Sequence, residues 1–462
     1  MPDLMATHWV YLSVVLVVIG LMVFRRDVVL PCILGIFIIG WMWTGSIVGG
    51  GQTVFKALET AGTSLFDIML VIALMVGMLK SLQSMGADFY MVAPARKLMA
   101  KPVIAYFGLA LCMFLAATFF WPTPAVALVG TMLIPVAIAS GLPPMAAAVA
   151  INLSGHGMAL SGDVVLQGAP SITANAADVD VALVVSKGAM FGIIVGITAL
   201  LVAFFMMRKE ILNGKPQKSE LLKLEEPEAA PGYAKIFAFL VPLVFISIVG
   251  MMVYSNMNDH IANIQGGGAT SLLGGAAAIM MLVTTVVHHK GEAFEKLVGF
   301  LREGLLFAIK IFAPVIPIAG FFFLGAPNHA EAILGQGAPG FMFDLGTALA
   351  TNIPLGTVPL AIGIVLIGLM TGLDGSGFSG LPLIGSLAAS LGGPSGVDVA
   401  TLAALGQVAS IWAGGGTLTA WAFGVVADAG IAGVSPTDLV RRNFIAVISG
   451  LTVAVVVAVL IM

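Results

Sequence analysis

Charge is what this sequence most lacks. Asp, Glu, Lys and Arg make up 9% of its 462 residues and hydrophobic residues 59%, whereas soluble domains carry roughly 25% charge. Such a chain cannot cover a water-facing surface, so the soluble globular class is excluded and an all-α polytopic membrane protein is expected. Cysteine is nearly absent, and Cys32 and Cys112 both lie in apolar runs, which argues against a disulfide framework. There is no Gly-Lys-Ser/Thr phosphate loop, so ATP coupling within the chain is not expected. Ser154-x-His156 has no triad context, and His288-His289 beside Lys290 is too small a group for a metal site. The chain is therefore expected to be no enzyme, to need no cofactor and to bind no nucleic acid. The first apolar run, Trp9 to Phe24, has no basic segment before it and is followed by Arg25-Arg26, as in a retained helix rather than a signal peptide.

Apolar stretches long enough to span at about 1.5 Å per residue cover 9–24, 28–49, 63–83, 145–175, 186–207, 235–255, 269–287, 305–324, 397–430 and 443–462. Of these ten, 145–175 and 397–430 are broken by polar residues. Two more apolar stretches, 102–141 and 357–393, are interrupted near their middles by Trp121-Pro122-Thr123-Pro124 and by the run from Leu373 to Gly380. Each is either two spans or a re-entrant hairpin that enters and leaves on one side. Charge decides between them. With both read as hairpins, the loops on one side hold 17 of the 20 Lys and Arg, all but Lys56, Lys187 and Lys310. The positive-inside rule thus predicts two hairpins, both termini outside and a cytoplasmic loop around 208–235 in a bacterial-type inner membrane.

Each half then has five spans and one hairpin, and an odd number of crossings inverts the second half against the first. The expected division is a first repeat over 1–207, a polar linker of mixed sign over 208–234, and a second repeat over 235–462. Two short amphipathic stretches, Gly51 to Leu58 and Gly291 to Val298, precede corresponding spans and suit helices lying in the membrane interface.

The polar interruptions carry the functional reading. Ile151 to Asp163, INLSGHGMALSGD, places glycines, serines, a histidine and an aspartate where a span should be apolar, and Gly406 to Trp421 repeats the interruption with Gly414, Gly415 and Gly416. At a broken helix the free N–H groups of one half face the free carbonyls of the other, so an anion and a cation can be held together. Gly155, Gly157 and Gly415 would let backbone approach a ligand. Ser154, His156, Ser161, Asp163, Thr417 and Thr419 would line the site, with Thr123, Asp374, Ser376 and Ser379 from the hairpin tips. A sodium ion, if bound, would take Ser154, Asp163, Asp374 and Thr417. Each residue also has a plainer reading. Small residues pack membrane helices, Asp before Gly-Ser-Gly is ordinary turn chemistry, and Lys310 can snorkel. Asp67 lies near a span entry, and Asp178, Asp180 and Asp428 near span ends, where a solvated carboxylate is the default expectation.

The order of elements, with the run LVIALMVGMLKSLQSMG from Leu70, the hairpin ending LVGTMLIPVAIASGLPP and the broken helix after it, resembles the ion-transporter superfamily of gluconate permeases, citrate and dicarboxylate carriers and one class of sodium/proton antiporters. That resemblance implies two inverted repeats, hairpin tips meeting broken helices, a homodimer, and an elevator-like movement of the site-bearing part. The Ser-Asn-Thr signature of the dicarboxylate symporters is absent, its places reading Trp121-Pro122-Thr123-Pro124 and Asp374-Gly375-Ser376-Gly377. The expected function is secondary active transport of a small organic anion, a carboxylate by preference, coupled to protons or sodium. The alternative is a sodium/proton antiporter without organic substrate. Membrane lipid is the other expected partner. A membrane enzyme would need its polar cluster near an interface, and these clusters lie mid-span.

Overall fold

The computed structural model describes residues 4–23, 26–99, 101–214, 231–256, 267–352, 356–420 and 422–462. Among them the chain is helical, with no strand. The first half begins with α1 (Ala6–Val23), α2 (Val29–Thr44) and α3 (Ile47–Ser84), then a short α4 (Ala87–Val92). It continues with α5 (Pro102–Phe120), α6 (Pro122–Ala125), α7 (Thr131–Ala139), α8 (Pro144–Ile151), α9 (Leu160–Gly162), α10 (Gly168–Ala177) and α11 (Val181–Leu212). The second half comprises α12 (Gly232–Asn256), α13 (Gly267–His289), α14 (Ala293–Phe312), α15 (Val315–Phe323), α16 (Pro327–Leu334) and α17 (Phe341–Asn352). It ends with α18 (Thr357–Thr371), α19 (Leu381–Leu387), α20 (Val399–Trp412), α21 (Phe423–Ala432) and α22 (Pro436–Ile461).

Local chemistry sets several boundaries. Pro102, Pro144 and Pro436 open their helices at the first position, where the missing N–H leaves nothing unsatisfied. Asp180 and Asp398 cap α11 and α20 by accepting from the amides of Ala182 and Thr401, each at 2.9 Å. Asp180 is therefore an end-of-span carboxylate, as expected.

Five helical stretches are long and apolar enough to cross a membrane: Pro102–Phe120, Val181–Leu212, Ser271–Lys310, Val399–Thr417 and Pro436–Ile461. Counting two bent pairs as single spans, the total among the described residues is seven. Shorter apolar helices, Ala6–Val18, Val29–Thr44, Gly232–Ile248 and Thr357–Thr371, join them. The chain is an all-α, multi-pass membrane protein. Part of the difference from the ten expected stretches lies in breaks that hydropathy cannot see. The expected span 305–324 divides at Ala313-Pro314 between α14 and α15, because proline removes a helical donor and crowds the preceding turn.

Two groups of helices emerge from the packing. α3 gathers α2, α13, α14 and α15, while α11, α20 and α22 pack on one another with α18 against α20 and α22. The amphipathic beginnings of α3 and α14 thus belong to helices that lie side by side, and Ser81 bonds Thr284 at 2.7 Å nearby. The other group holds both interrupted helices. There α10 packs on α19, and α21 packs on α7, so the far part of each interrupted helix meets the returning limb of the other half's apolar stretch.

Candidate functional site

The first interruption lies farther along than its sequence suggests. From Pro144 the helix runs through α8 and a π segment, Asn152–Ala159, into α9, and ends where Asp163 takes φ 38°. It restarts at Gly168 after Gln167, φ 58°. Gly155 and Gly157 therefore stay inside a continuous, widened helix, in the i→i+5 geometry that often marks functional positions. Their missing side chains admit neighbours rather than open space: a Cβ on Gly155 would lie 2.4 Å from Met113, and one on Gly157 2.4 Å from Trp412. Asp163 accepts from Ala169 N at 3.0 Å through Oδ2 and so caps the second segment. Its carboxylate is engaged by the chain's own backbone.

The second interruption is the sharper one. α20 continues as a π segment over Ala413–Thr417, where Gly416 turns to φ 125°, and helix resumes at Phe423. That dihedral is open to glycine and strained for any other residue. Gly415 backs onto the carbonyl of His156, 3.0 Å from where its Cβ would be.

Between the two interruptions sits a cluster of polar side chains with no exposure at all: Asn152, His156, Asp428 and Asn443. His156 Nδ1 lies 2.9 Å from Asp428 Oδ2. Asn152 Nδ2 donates to the same oxygen at 2.8 Å and to Gly416 O at 2.6 Å. Asn443 Nδ2 donates to Asn152 Oδ1 at 2.7 Å and to Thr417 O at 3.1 Å. With Asp428 ionised, its Oδ2 is an acceptor only, which fixes the histidine proton on Nδ1. The network thus joins the π segment of the first half, both sides of the second interruption, and α22. Gly424 lets this happen, since a methyl there would fall 2.6 Å from the His156 ring.

A second cross-link lies one turn away. Trp412 Nε1 donates to Ser161 Oγ at 3.0 Å and Gln407 Nε2 to Ser161 O at 3.1 Å. Ser154 bonds Ala150 O at 2.8 Å and Thr417 Oγ1 bonds Trp412 O, so both hydroxyls are used within their own helices.

The two interrupted tips lie against each other. Trp121, held at φ 70° between α5 and α6, lies against Phe378 of the other tip, the ring centroids 5.4 Å apart and the planes tilted by 32°. A positive φ at a bulky residue is strain that its surroundings must hold in place. Ser376 Oγ accepts from the amides of Phe378 and Ser379, at 3.1 and 3.4 Å, and Ser410 donates to Gly377 O at 3.2 Å. The Trp121 indole N–H, Thr123 Oγ1 and Thr419 Oγ1 are buried polar atoms without a partner among the described residues. The backbone of Asp374 ends a 3₁₀ turn, while its side chain, like Trp421, lies outside what is described.

The structure therefore brings His156, Gly415, Thr417 and Ser161 to one region with the second tip beside it, and leaves Asp163 in its own turn. Asp67 and Lys310 are exposed on their helices. Sequence reasoning missed Asn152, Asp428 and Asn443. Asp428 was expected to be solvated near a span end and is instead wholly buried, because α21 is short and turns inward after the second interruption. A signal was present, in that Asp428 stands alone as an acid within an apolar decapeptide, FGVVADAGIA. A separate cleft of about 680 Å³ between α4 and α12 is lined by Tyr90, Met91, Lys235, Phe239, Leu243 and Ile246. It is almost wholly apolar and remote from the interruptions.

No family model matches the chain. A curated relative, the uncharacterized membrane protein YhfA of Bacillus subtilis (strain 168), is 37% identical over 475 residues, which cover 99% of this chain and 98% of that protein. Among solved structures, the YdaH transporter of Alcanivorax borkumensis, described as having an unusual topology, superposes with a TM-score of 0.57 at 14% identity, over 89% of this chain and 88% of that one. At that identity the likeness is one of fold.

Proposed function

The chain belongs to the family of the Bacillus subtilis membrane protein YhfA, and we propose from that premise that it is a secondary active transporter of a small organic anion, driven by a cation gradient. The observation that carries this reading is the pair of interrupted helices whose facing sides share one buried polar network. Polar side chains in a membrane interior are expensive and mark transport pathways, and discontinuous helices from two halves are the recurrent way to build a midplane site. The fold shared with a transporter supports the same reading. So does the reciprocal packing of α10 on α19 and α21 on α7, which suits two inverted repeats moving their site across the membrane in an elevator-like manner. The anion would be met by hydroxyl and indole donors at the tips, Thr123 and Trp121, whose donors are buried and unpartnered.

A sodium/proton antiporter without organic substrate is the second reading, and the His156–Asp428 pair favours it, because such a pair needs no anion to exchange a cation. One experiment separates the two. Purified protein is screened for thermal stabilisation by organic acids, since a ligand bound to the native state raises its apparent melting temperature. Hits are then tested for gradient-driven uptake in proteoliposomes. Uptake of an organic acid supports the first reading. Cation exchange with no organic acid carried sinks it in favour of the second.

A further inference from the structure

Asp428 presents its two carboxylate oxygens to very different surroundings. Oδ2 receives two donors, from His156 at 2.9 Å and Asn152 at 2.8 Å. Oδ1 is buried and has no donor among the described residues. We propose that Asp428 Oδ1 is where the coupling proton binds, with His156 and Asn152 as positioning residues that hold the carboxylate through Oδ2. This inference rests on the carrier reading and names the ion and the atom that reading leaves open.

The chemistry balances without any further reactant. A proton adds to a lone pair on Oδ1, converting carboxylate to carboxylic acid, while Oδ2 keeps both hydrogen bonds. A sodium ion fits less well. It requires a cage of several oxygens, whereas the two side chains bonded to Asp428 offer it N–H groups.

Charge gives the site its coupling character. With Asp428 ionised and His156 neutral, the site would hold a net negative charge in an apolar interior, which is costly unless neutralised. The proton removes it. The elements packed on the His156 π segment and on α21 offer little other compensation. α6, α7, α8, α9 and α20 carry no ionisable side chain. On α5, Tyr106 gives its hydroxyl to Leu200 O and Cys112 is neutral. On α11 and α22, Arg442 pairs with Glu210 and Arg441 with Asp438 at exposed positions, leaving Lys187, Arg208 and Lys209 toward the ends of α11. Asp163, beyond α9, gives Oδ2 to Ala169 N.

The test uses full-length protein in proteoliposomes with a trapped pH-sensitive dye, an imposed pH gradient, and an organic acid taken from the stability screen. Asp428→Asn places an amide oxygen where Oδ2 was and an NH2 where a protonated Oδ1 would be, a permanent copy of the proton-loaded site. Accumulation against a gradient and proton flux are expected to be lost, while exchange of internal for external substrate persists and no longer varies with pH. His156→Leu removes one of the two donors that hold Oδ2, so the midpoint of uptake against pH should shift. A merely structural histidine would lower the rate without moving it. The inference is overturned if folded Asp428→Asn still accumulates substrate, if it loses exchange along with accumulation, or if wild-type uptake follows sodium and ignores protons. An unmoved midpoint in His156→Leu would overturn it equally, and that variant serves if Asp428→Asn fails to fold. Proton flux that needs Asp428 while no organic acid is exchanged would defeat the anion reading and keep the proton site.

Discussion

Gly157→Ala tests whether the glycines of the first interruption exist for a ligand or for packing. A Cβ at this position would lie 2.4 Å from Cζ3 and 2.6 Å from Cη2 of Trp412. Carbon contacts are comfortable from about 3.5 Å, so the ring must retreat by about 1 Å. It cannot do so freely, because its Nε1 is bonded to Ser161 Oγ at 3.0 Å. Overpacking costs about 1 to 3 kcal/mol, and a lost interhelical hydrogen bond in a membrane protein about 0.6 to 1.7 kcal/mol. The sum, about 2 to 5 kcal/mol, is large against native stabilities. Gly162→Ala is the control in the same helix, since its nearest neighbour would be Ala189 Cα at 3.5 Å. Melting followed by fluorescence-detected size exclusion should place Gly157→Ala well below wild type and Gly162→Ala beside it. Shortening the partner with Trp412→Leu should recover part of the loss in the Gly157→Ala background. Equal melting of the two glycine variants would refute the packing account.

Three further outcomes are expected. Asn152→Ala removes three buried hydrogen bonds and should destabilise the protein by about 2 to 5 kcal/mol at membrane values per bond, read as a lowered melting temperature; a wild-type melt would show that the network is not formed. Thr123→Leu fills the first tip beside Trp121 and should block uptake while leaving expression unchanged, so normal uptake would remove that tip from the pathway. Single cysteines at Ser219 and Asn263 of a cysteine-free variant should label with an impermeant thiol reagent on intact cells only at Asn263, and the reverse pattern would invert the predicted topology.

How much could be read without the structure follows from what each signal depends on. Composition announced a multi-pass helical protein, because insertion in a bilayer is decided by side-chain transfer energies that a sequence states directly. The polar interruptions at Trp121-Pro122 and Gly375-Ser376-Gly377 also break helices locally, and Trp121 lies against Phe378 with ring centroids 5.4 Å apart. The first interruption was misplaced because glycine is ambiguous. Gly155 and Gly157 signal a break or a close approach equally well, and only the positions of Met113 and Trp412 decide between them. The capping by Asp163 was hidden for a similar reason, since the helix start it caps is invisible in a run that reads as continuous. Asp428 was undervalued because its environment is assembled from residues more than 270 positions away, a distance over which no local pattern reports.

That same separation sets a schedule for biogenesis. His156 meets Asp428 across 272 residues, Asn152 meets Asp428 across 276, and Asn443 reaches Asn152 across 291. At about 5 to 20 residues per second of synthesis, the interval is on the order of 15 to 55 seconds. For that time an asparagine and a histidine from the finished first half have none of their eventual partners. A nascent chain that stalls before α21 therefore exposes these polar groups to lipid or to the insertion machinery, and should be held or degraded rather than accumulate as a half-protein. The last forty residues act as a closing stitch, and the two halves become a single molecule only when α22 has entered the membrane.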